Sequence, residues 1–316
     1  MTTTVGIDIG GTKIAGGVLE DGVLMDTVRR ESPAQHPASI ADTIAEVVSH
    51  LSTGRDVAAV GLAPAGWLNL ERTEIMFAPN LAWRAEPLGQ LVQQRVSVPT
   101  VMENDGNAAA WAEFRFGAGQ GARALLMVTV GTGIGSGLVV DGRLFRGGFG
   151  VAPEFGHMRV VPDGQRCACG LLGCWEAYAS GTALTRRARE LAIEDPSVAT
   201  VLLELAGGRP EAIRGPMVSD AATQGDPASR QSFAELAGWI GEGLASLATA
   251  LDPDVIVIGG GVSESAELDL DLVVGAFGPV ESGFGHRPQP QIRRARLGNN
   301  AGLIGAADLA RAAVEV

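Results

Sequence analysis

The chain has 316 residues, 46% of them hydrophobic, and a formal net charge of −12. So acidic a chain lacks the basic surface that tracks phosphate backbones, which argues against a nucleic-acid partner. No apolar run reaches about 18 residues, since Leu125 to Val140 is broken by four glycines, and Met1-Thr2-Thr3-Thr4 has no signal-peptide character; a cytoplasmic protein with no membrane partner is expected.

In chain order, Val5 to Ile9 reads as a strand, Gly10-Gly11-Thr12-Lys13 as a turn and Ile14 to Leu19 as a return strand. Asp21-Gly22 signals a hairpin into a third strand. Lys13 is the only lysine of the chain, the remaining basic charge being arginine. A helix is expected over Ile40 to Leu51. The short apolar strand Pro99 to Met102 leads into Glu103-Asn104-Asp105-Gly106-Asn107 and a helix over Asn107 to Phe116. Asp105 thus falls near a helix N-terminus, where free N–H groups and the dipole favour its ionised form. The residues alone leave two readings, an N-cap or a base that accepts a hydroxyl proton in phosphoryl transfer.

Leu125 to Val130 is a further strand, and the segment after it repeats the N-terminal pattern 120 residues later. Gly11, Thr12, Ile14, Gly17, Asp21, Gly22 and Leu24 recur as Gly131, Thr132, Ile134, Gly137, Asp141, Gly142 and Leu144. This is an internal duplication, and it predicts two homologous lobes facing a shared cleft. Only the first copy carries a carboxylate at its strand end, Asp8, where the second has Val128. A carboxylate there suits magnesium, although a turn hydrogen bond would also use it.

Glu154-Phe155-Gly156-His157 and Cys167-Ala168-Cys169-Gly170-Leu171-Leu172-Gly173-Cys174-Trp175-Glu176 hold all three cysteines and one of the four histidines. Three thiolates and an imidazole, His157, Cys167, Cys169 and Cys174, form the ligand set of a closed structural zinc site. The spacing is not the common C-x-x-C pair, and three unrelated reduced cysteines are the alternative. Glu154 and Glu176 bracket the cluster without being needed by it.

Helices are expected over Gly181 to Leu191 and Ser232 to Leu251, with loops near 192–230 and 278–290. The strand Val255 to Ile258 ends in a third glycine turn, Gly259-Gly260-Gly261, and a helix rich in small residues closes the chain from Ala301 to Val314. Glycine turns directly after strands let backbone N–H groups approach phosphates. None fits G-x-x-x-x-G-K-[ST], and Gly131 to Gly137 returns as a strand rather than opening a helix, so neither a P-loop nor a Rossmann site is expected.

Together these motifs resemble the ROK family (repressor, open reading frame, kinase), in particular its bacterial glucokinases. The resemblance runs from Asp8 to Lys13 through Glu103-Asn104-Asp105, Gly131 to Gly137, Glu154-x-x-His157 and the cysteine segment, to Ala301-Gly302-Leu303-Ile304-Gly305-Ala306. It implies an α/β fold of the actin-like ATPase, ribonuclease-H type, with residues 1–116 as a small lobe, 117–300 as a larger lobe carrying the zinc loop, and the helix of 301–316 packed back on the first. It implies ATP-dependent phosphorylation of the glucose 6-hydroxyl, with Asp105 as catalytic base. Sugar would be bound by Gly66, Asn80, Asn104, Asp105, Glu154, His157 and Glu176. ATP and magnesium would be held by Asp8, Gly10, Gly11, Thr12, Lys13, Gly131, Thr132, Gly133, Gly259, Gly260 and Gly261. One His157 nitrogen would bind structural zinc while the other faces the sugar. A homodimer or homotetramer is the implied assembly. Gly298-Asn299-Asn300 departs from the acidic residues many members carry there, and is read as a loop difference.

The pattern leaves open which hexose is used, with N-acetylglucosamine, N-acetylmannosamine and mannose as alternatives, and whether polyphosphate replaces ATP. The family's sugar-sensing repressors carry a DNA-reading helix-turn-helix ahead of the sugar domain. With the first phosphate motif at Asp8, a repressor is not expected; a sugar-sensing regulator lacking catalysis is a further alternative, against which the presence of both Asp8 and Asp105 argues.

Overall fold

The structure is a computed structural model and describes residues 2–33, 36–78, 84–281, 283 and 285–315. The first half comprises β1 (Thr3–Ile9), β2 (Lys13–Glu20), β3 (Val23–Glu31), α1 (Pro37–Leu51) and β4 (Val57–Pro64). A small three-stranded sheet comes next, β5 (Trp67–Leu68), β6 (Ile75–Phe77) and β7 (Arg84–Glu86), then α2 (Leu88–Gln93), β8 (Thr100–Met102) and α3 (Asp105–Phe116). The second half opens with β9 (Ala124–Val130), β10 (Ile134–Val140) and β11 (Arg143–Leu144). Five helices come after it: α4 (Glu176–Ala179), α5 (Gly181–Glu194), α6 (Thr200–Leu205), α7 (Gly215–Thr223) and α8 (Pro227–Leu251). The chain ends with β12 (Val255–Gly259), α9 (Leu270–Val280), β13 (Gln291–Arg294) and α10 (Ala301–Val314).

The duplication in the sequence is a duplication of sheets. Their strand orders, β3-β2-β1-β4-β8 and β11-β10-β9-β12-β13, share one plan: a three-stranded meander extended by two later strands. β4 joins β1 in parallel and β8 joins β4 in parallel, as β13 joins β12. The second hairpin of each sheet, β2–β3 and β10–β11, turns on an Asp-Gly pair with positive φ, 48° at Asp21 and 80° at Gly22, 48° at Asp141 and 75° at Gly142. Two successive residues with positive φ make the tight turn whose twist matches paired strands, and Asp-Gly is among the pairs that tolerate it well.

The chain divides into two compact units. One contains residues 1–127, 136–154 and 295–316; the other contains 128–135 and 155–294. In the first, β1 is covered on both faces. Val5, Ile7 and Ile9 join the core formed with Ile40, Ile44, Val47 and Leu51 of α1. The alternate residues Thr4, Gly6 and Asp8 face α10, where Thr4 Oγ1 donates to the Ala307 carbonyl at 3.0 Å. α10 lies so near the sheet that a Cβ at Gly6 would come within 1.8 Å of the Leu303 oxygen, and one at Gly61 within 1.9 Å of the Ala306 oxygen.

The second unit is mainly helical. α8 starts at Asp226, whose buried side chain accepts the Ser229 N–H at 2.9 Å, and ends at Asp252 in the left-handed region. The expected loops near 192–230 carry two helices instead, α6 and α7, and α9 extends to Val280. α7 begins with Gly215-Pro216 and buries Val218, Ala221 and Ala222 against α5 and α8. Such short segments are marginal alone and owe their helicity to packing, which their sequence does not advertise.

Candidate active site

The first unit assembles two carboxyls beneath a glycine turn. Asp8 sits near the end of β1, opposite Ala15 of β2 and Ala63 of β4. The turn beyond it closes with Gly10 N donating to the Lys13 carbonyl at 3.0 Å, leaving Thr12 and Lys13 exposed. Burial raises the Asp8 carboxyl from 3.8 to about 6, against the pull of the Lys13 charge.

Asp105 is the first residue of α3, and the cap is Asn104: its Oδ1 accepts the Asn107 N–H at 3.1 Å. The Asn104 amide donates to Asp105 Oδ1 at 3.0 Å and to the Gly66 carbonyl at 3.1 Å. Gly106 N adds a bond to the same Oδ1 at 2.9 Å. Asn104 and Gly66 thereby orient the carboxyl. The expectation that the helix N-terminus keeps Asp105 readily ionised is corrected by the surroundings. Burial and the nearby charge of Asp8 raise it from 3.8 to about 7, outweighing the N–H donors.

Glu103 carries no expected role from its sequence but holds this loop. Its buried carboxylate takes Arg146 at 2.6 Å and Arg72 at 3.3 Å, and accepts the Asn104 N–H at 3.2 Å. The approach to Glu154 is fixed through its backbone: Ser136 Oγ donates to the Pro153 carbonyl at 3.1 Å, and Asn107 Nδ2 reaches the Ala152 carbonyl at 3.4 Å. Glu103 adjoins Asn104 and Asp105 in sequence, and that adjacency is the only signal of its role. Asn80 lies outside the described residues.

In the second unit His157, Cys167, Cys169 and Cys174 converge, their ligand atoms all within 4.8 Å of one another. His157 presents Nδ1, 3.7 Å from Cys167 Sγ, and Cys169 Sγ lies 3.7 Å from Cys174 Sγ. Tetrahedral zinc with Zn–S bonds of about 2.3 Å sets its sulfurs about 3.8 Å apart, so the donor set and its spacing both fit zinc. Burial raises the thiols of Cys167 and Cys174, the environment in which a thiolate needs a cation. Glu176 opens α4 beside the cluster, with Oε1 3.3 Å from Cys167 Sγ and Oε2 accepting the Ile134 N–H at 2.9 Å.

The second glycine turn borders a cavity of about 990 Å³. Gly131, Thr132 and Gly261 form part of its wall, with Thr182 and Arg186 of α5 and Ser219 of α7. This volume lies at the upper end of ordinary small-molecule sites. Gly133 turns instead toward Glu176, Gly259 ends β12, and Gly260, at φ 86°, packs on the backbone of Val130. The α7 lining escapes a sequence reading because it depends on a helix expected to be loop. Among the described residues no helix is long and apolar enough to cross a membrane.

Residues 4–313 match the ROK family. The chain is 48% identical over 312 residues to the glucokinase of Streptomyces coelicolor, covering 98% of each protein. It is similar in structure to a ROK family glucokinase from Streptomyces griseus in complex with glucose and AMPPNP. The TM-score is 0.91 at 50% identity, covering 98% of this chain and 99% of that one. A ROK hexokinase from Thermus thermophilus gives a TM-score of 0.82 at 36% identity, covering 99% of both. The fold is thus the actin-like ATPase architecture that the sequence resemblance implied.

Proposed function

The chain belongs to the ROK family, and we propose that it is an ATP-dependent glucokinase that phosphorylates the 6-hydroxyl of glucose. The observation that carries this reading is the near-full-length likeness to glucokinases, one of them in complex with glucose and AMPPNP. The pinned carboxyl of Asp105 supplies the group such a reaction needs.

The glucose 6-oxygen attacks the γ-phosphorus in line, and the leaving oxygen departs with ADP. Asp105 takes the hydroxyl proton, its Oδ1 held by Asn104 and Gly106 so that the geometry is set before substrate arrives. Asn80, Asn104, Glu154, His157 and Glu176 receive the other sugar hydroxyls, with the Gly66 carbonyl holding Asn104 in place. Carboxylates accept and never donate when ionised, which suits Glu154 and Glu176 to hydroxyl donors. The turns Gly10–Lys13, Gly131–Gly133 and Gly259–Gly261 carry the phosphates on backbone N–H groups, and the 990 Å³ cavity takes the nucleoside. Asp8 would hold magnesium, directly or through water, and that ion would supply neutralising charge for the phosphates. His157 and the three cysteines would hold zinc through Nδ1 and the thiolates, which would fix the imidazole ring and leave Nε2 for the sugar.

Ranking kcat/KM for glucose, mannose, N-acetylglucosamine and N-acetylmannosamine, each with ATP and with polyphosphate, tests the assignment. Glucose with ATP is expected to lead. A higher value for any other pair reassigns the substrate or the donor.

A further inference from the structure

Glu176 sits at a junction that sugar binding does not require. Its Oε2 accepts the Ile134 N–H at 2.9 Å, while its Oε1 lies 3.3 Å from Sγ of Cys167 in the metal cluster. The fit to the glycine turn is close, since a Cβ on Gly133 would lie 2.2 Å from Oε2. Trp175, between Cys174 and Glu176, is fully buried and donates from Nε1 to the Trp239 carbonyl at 2.7 Å. The backbone that carries both the metal ligand and the carboxylate is therefore anchored to α8.

The same segment reaches the turn a second time. Gly181 N donates to the Gly131 carbonyl at 2.8 Å, and Thr182 Oγ1 donates to the Thr132 carbonyl at 2.7 Å. Residues 174–182 thus begin at a cluster ligand and end on the peptide groups that border the cavity. The charge-assisted bond that the Ile134 N–H donates to Glu176 fixes the Gly133–Ile134 peptide, and with it the directions of the neighbouring N–H groups that would meet phosphate.

We propose that Glu176 is a positioning residue that joins the metal cluster to the second glycine turn, so that metal occupancy sets nucleotide affinity as well as sugar affinity. The identity of the nucleotide rests on the kinase reading above. The test is AMPPNP binding without sugar, measured by calorimetry on the full-length protein, zinc-loaded and after chelation.

Glu176→Ala should weaken AMPPNP about tenfold, the scale of one charge-assisted hydrogen bond. Glu176→Gln, which still accepts from Ile134, should recover most of that affinity. Chelated wild-type protein should show a similar loss, and chelating Glu176→Ala should add little, because both changes cut one path. Unchanged AMPPNP affinity in Glu176→Ala, or losses that simply add, would overturn the proposal. If circular dichroism shows that chelation unfolds the protein, zinc-loaded Gly133→Ala decides. Its methyl displaces Glu176 but keeps all four metal ligands, so AMPPNP should bind more weakly at full zinc content, with no further loss in Gly133→Ala/Glu176→Ala. Wild-type affinity in Gly133→Ala, or additive losses in the pair, contradict the coupling. Failure of the kinase reading is separate: the wild-type protein would then not bind AMPPNP at all.

Discussion

Asp105 is under opposing influences. The Gly106 N–H and the Asn104 amide favour its charge, while burial and Asp8 oppose it, and the second pair wins at about 7. With Asp105 as the proposed base, kcat/KM for glucose in the free enzyme should therefore climb with pH, half-maximal near 7, as its carboxyl loses its proton. Stability moves the other way. The folded chain holds this proton more tightly than the unfolded one, so the contribution is complete below 3.8 and is lost as pH rises through about 7. Asp8 acts in the same sense between 3.8 and about 6. Both carboxyls keep partial contact with solvent, which holds the combined change to on the order of 2 kcal/mol. Urea midpoints at pH 5 and pH 8 measure it, and equal midpoints would contradict the burial argument. Asp105→Asn removes the buried charge and the proposed base together. Turnover should fall by about 10³-fold and glucose affinity should stay within about tenfold, while stability at pH 8 rises by roughly 1 kcal/mol. Near-wild-type kcat would remove Asp105 from its role. The motif around Asp105 was legible from Glu103-Asn104-Asp105 and the strand before it. The direction of its shift was not, because it depends on burial that no local pattern records.

Close approach governs which glycines matter within the elements. Of the three glycines of α8, Gly238 and Gly243 make the contrast. A Cβ on Gly238 meets nothing within 4 Å, whereas one on Gly243 meets Cε2 of Trp175 at 2.1 Å. Gly238→Ala should stabilise the protein by about 0.5–1 kcal/mol, the ordinary gain in a helix interior. Gly243→Ala should destabilise it by about 2 kcal/mol or more, because Trp175 is anchored and cannot yield. Chemical denaturation of the two variants checks the contrast, and equal effects would refute it. The hairpins at Asp21-Gly22 and Asp141-Gly142 were legible because their turn chemistry is local. Helices α1, α3, α5, α8 and α10 were legible from periodicity and length. α6 and α7 were not, since they are short and held by neighbours, and the wall that α7 gives the cavity was lost with them. The bond between Glu176 and Ile134 links residues far apart in sequence, and no spacing rule finds it.

For the molecule as a whole, two sheets built on one plan supply repeated glycine turns, and a long insertion within the second copy supplies the cysteine segment and five helices. The cysteine segment comes after β11, and α4 to α8 lie beyond that segment before β12 resumes the sheet. The repeated hairpins keep their turn residues in both copies, which is why the scaffold was readable from identities 120 residues apart. Cys169→Ser exchanges a thiolate for a poor zinc ligand. Bound zinc and glucose affinity should fall together, since on the proposed reading His157 would lose the ion that orients its ring. Elemental analysis beside calorimetry on folded variant checks this, and normal glucose binding by zinc-free, folded protein would break the link.

The most direct measurement is a coupled assay for glucose 6-phosphate, run with wild-type protein and Asp105→Asn, both zinc-loaded and folded. Wild-type protein should form glucose 6-phosphate only when glucose, ATP and magnesium are all present, and Asp105→Asn should form about 10³-fold less. No product above background from the wild-type protein would contradict the glucokinase assignment.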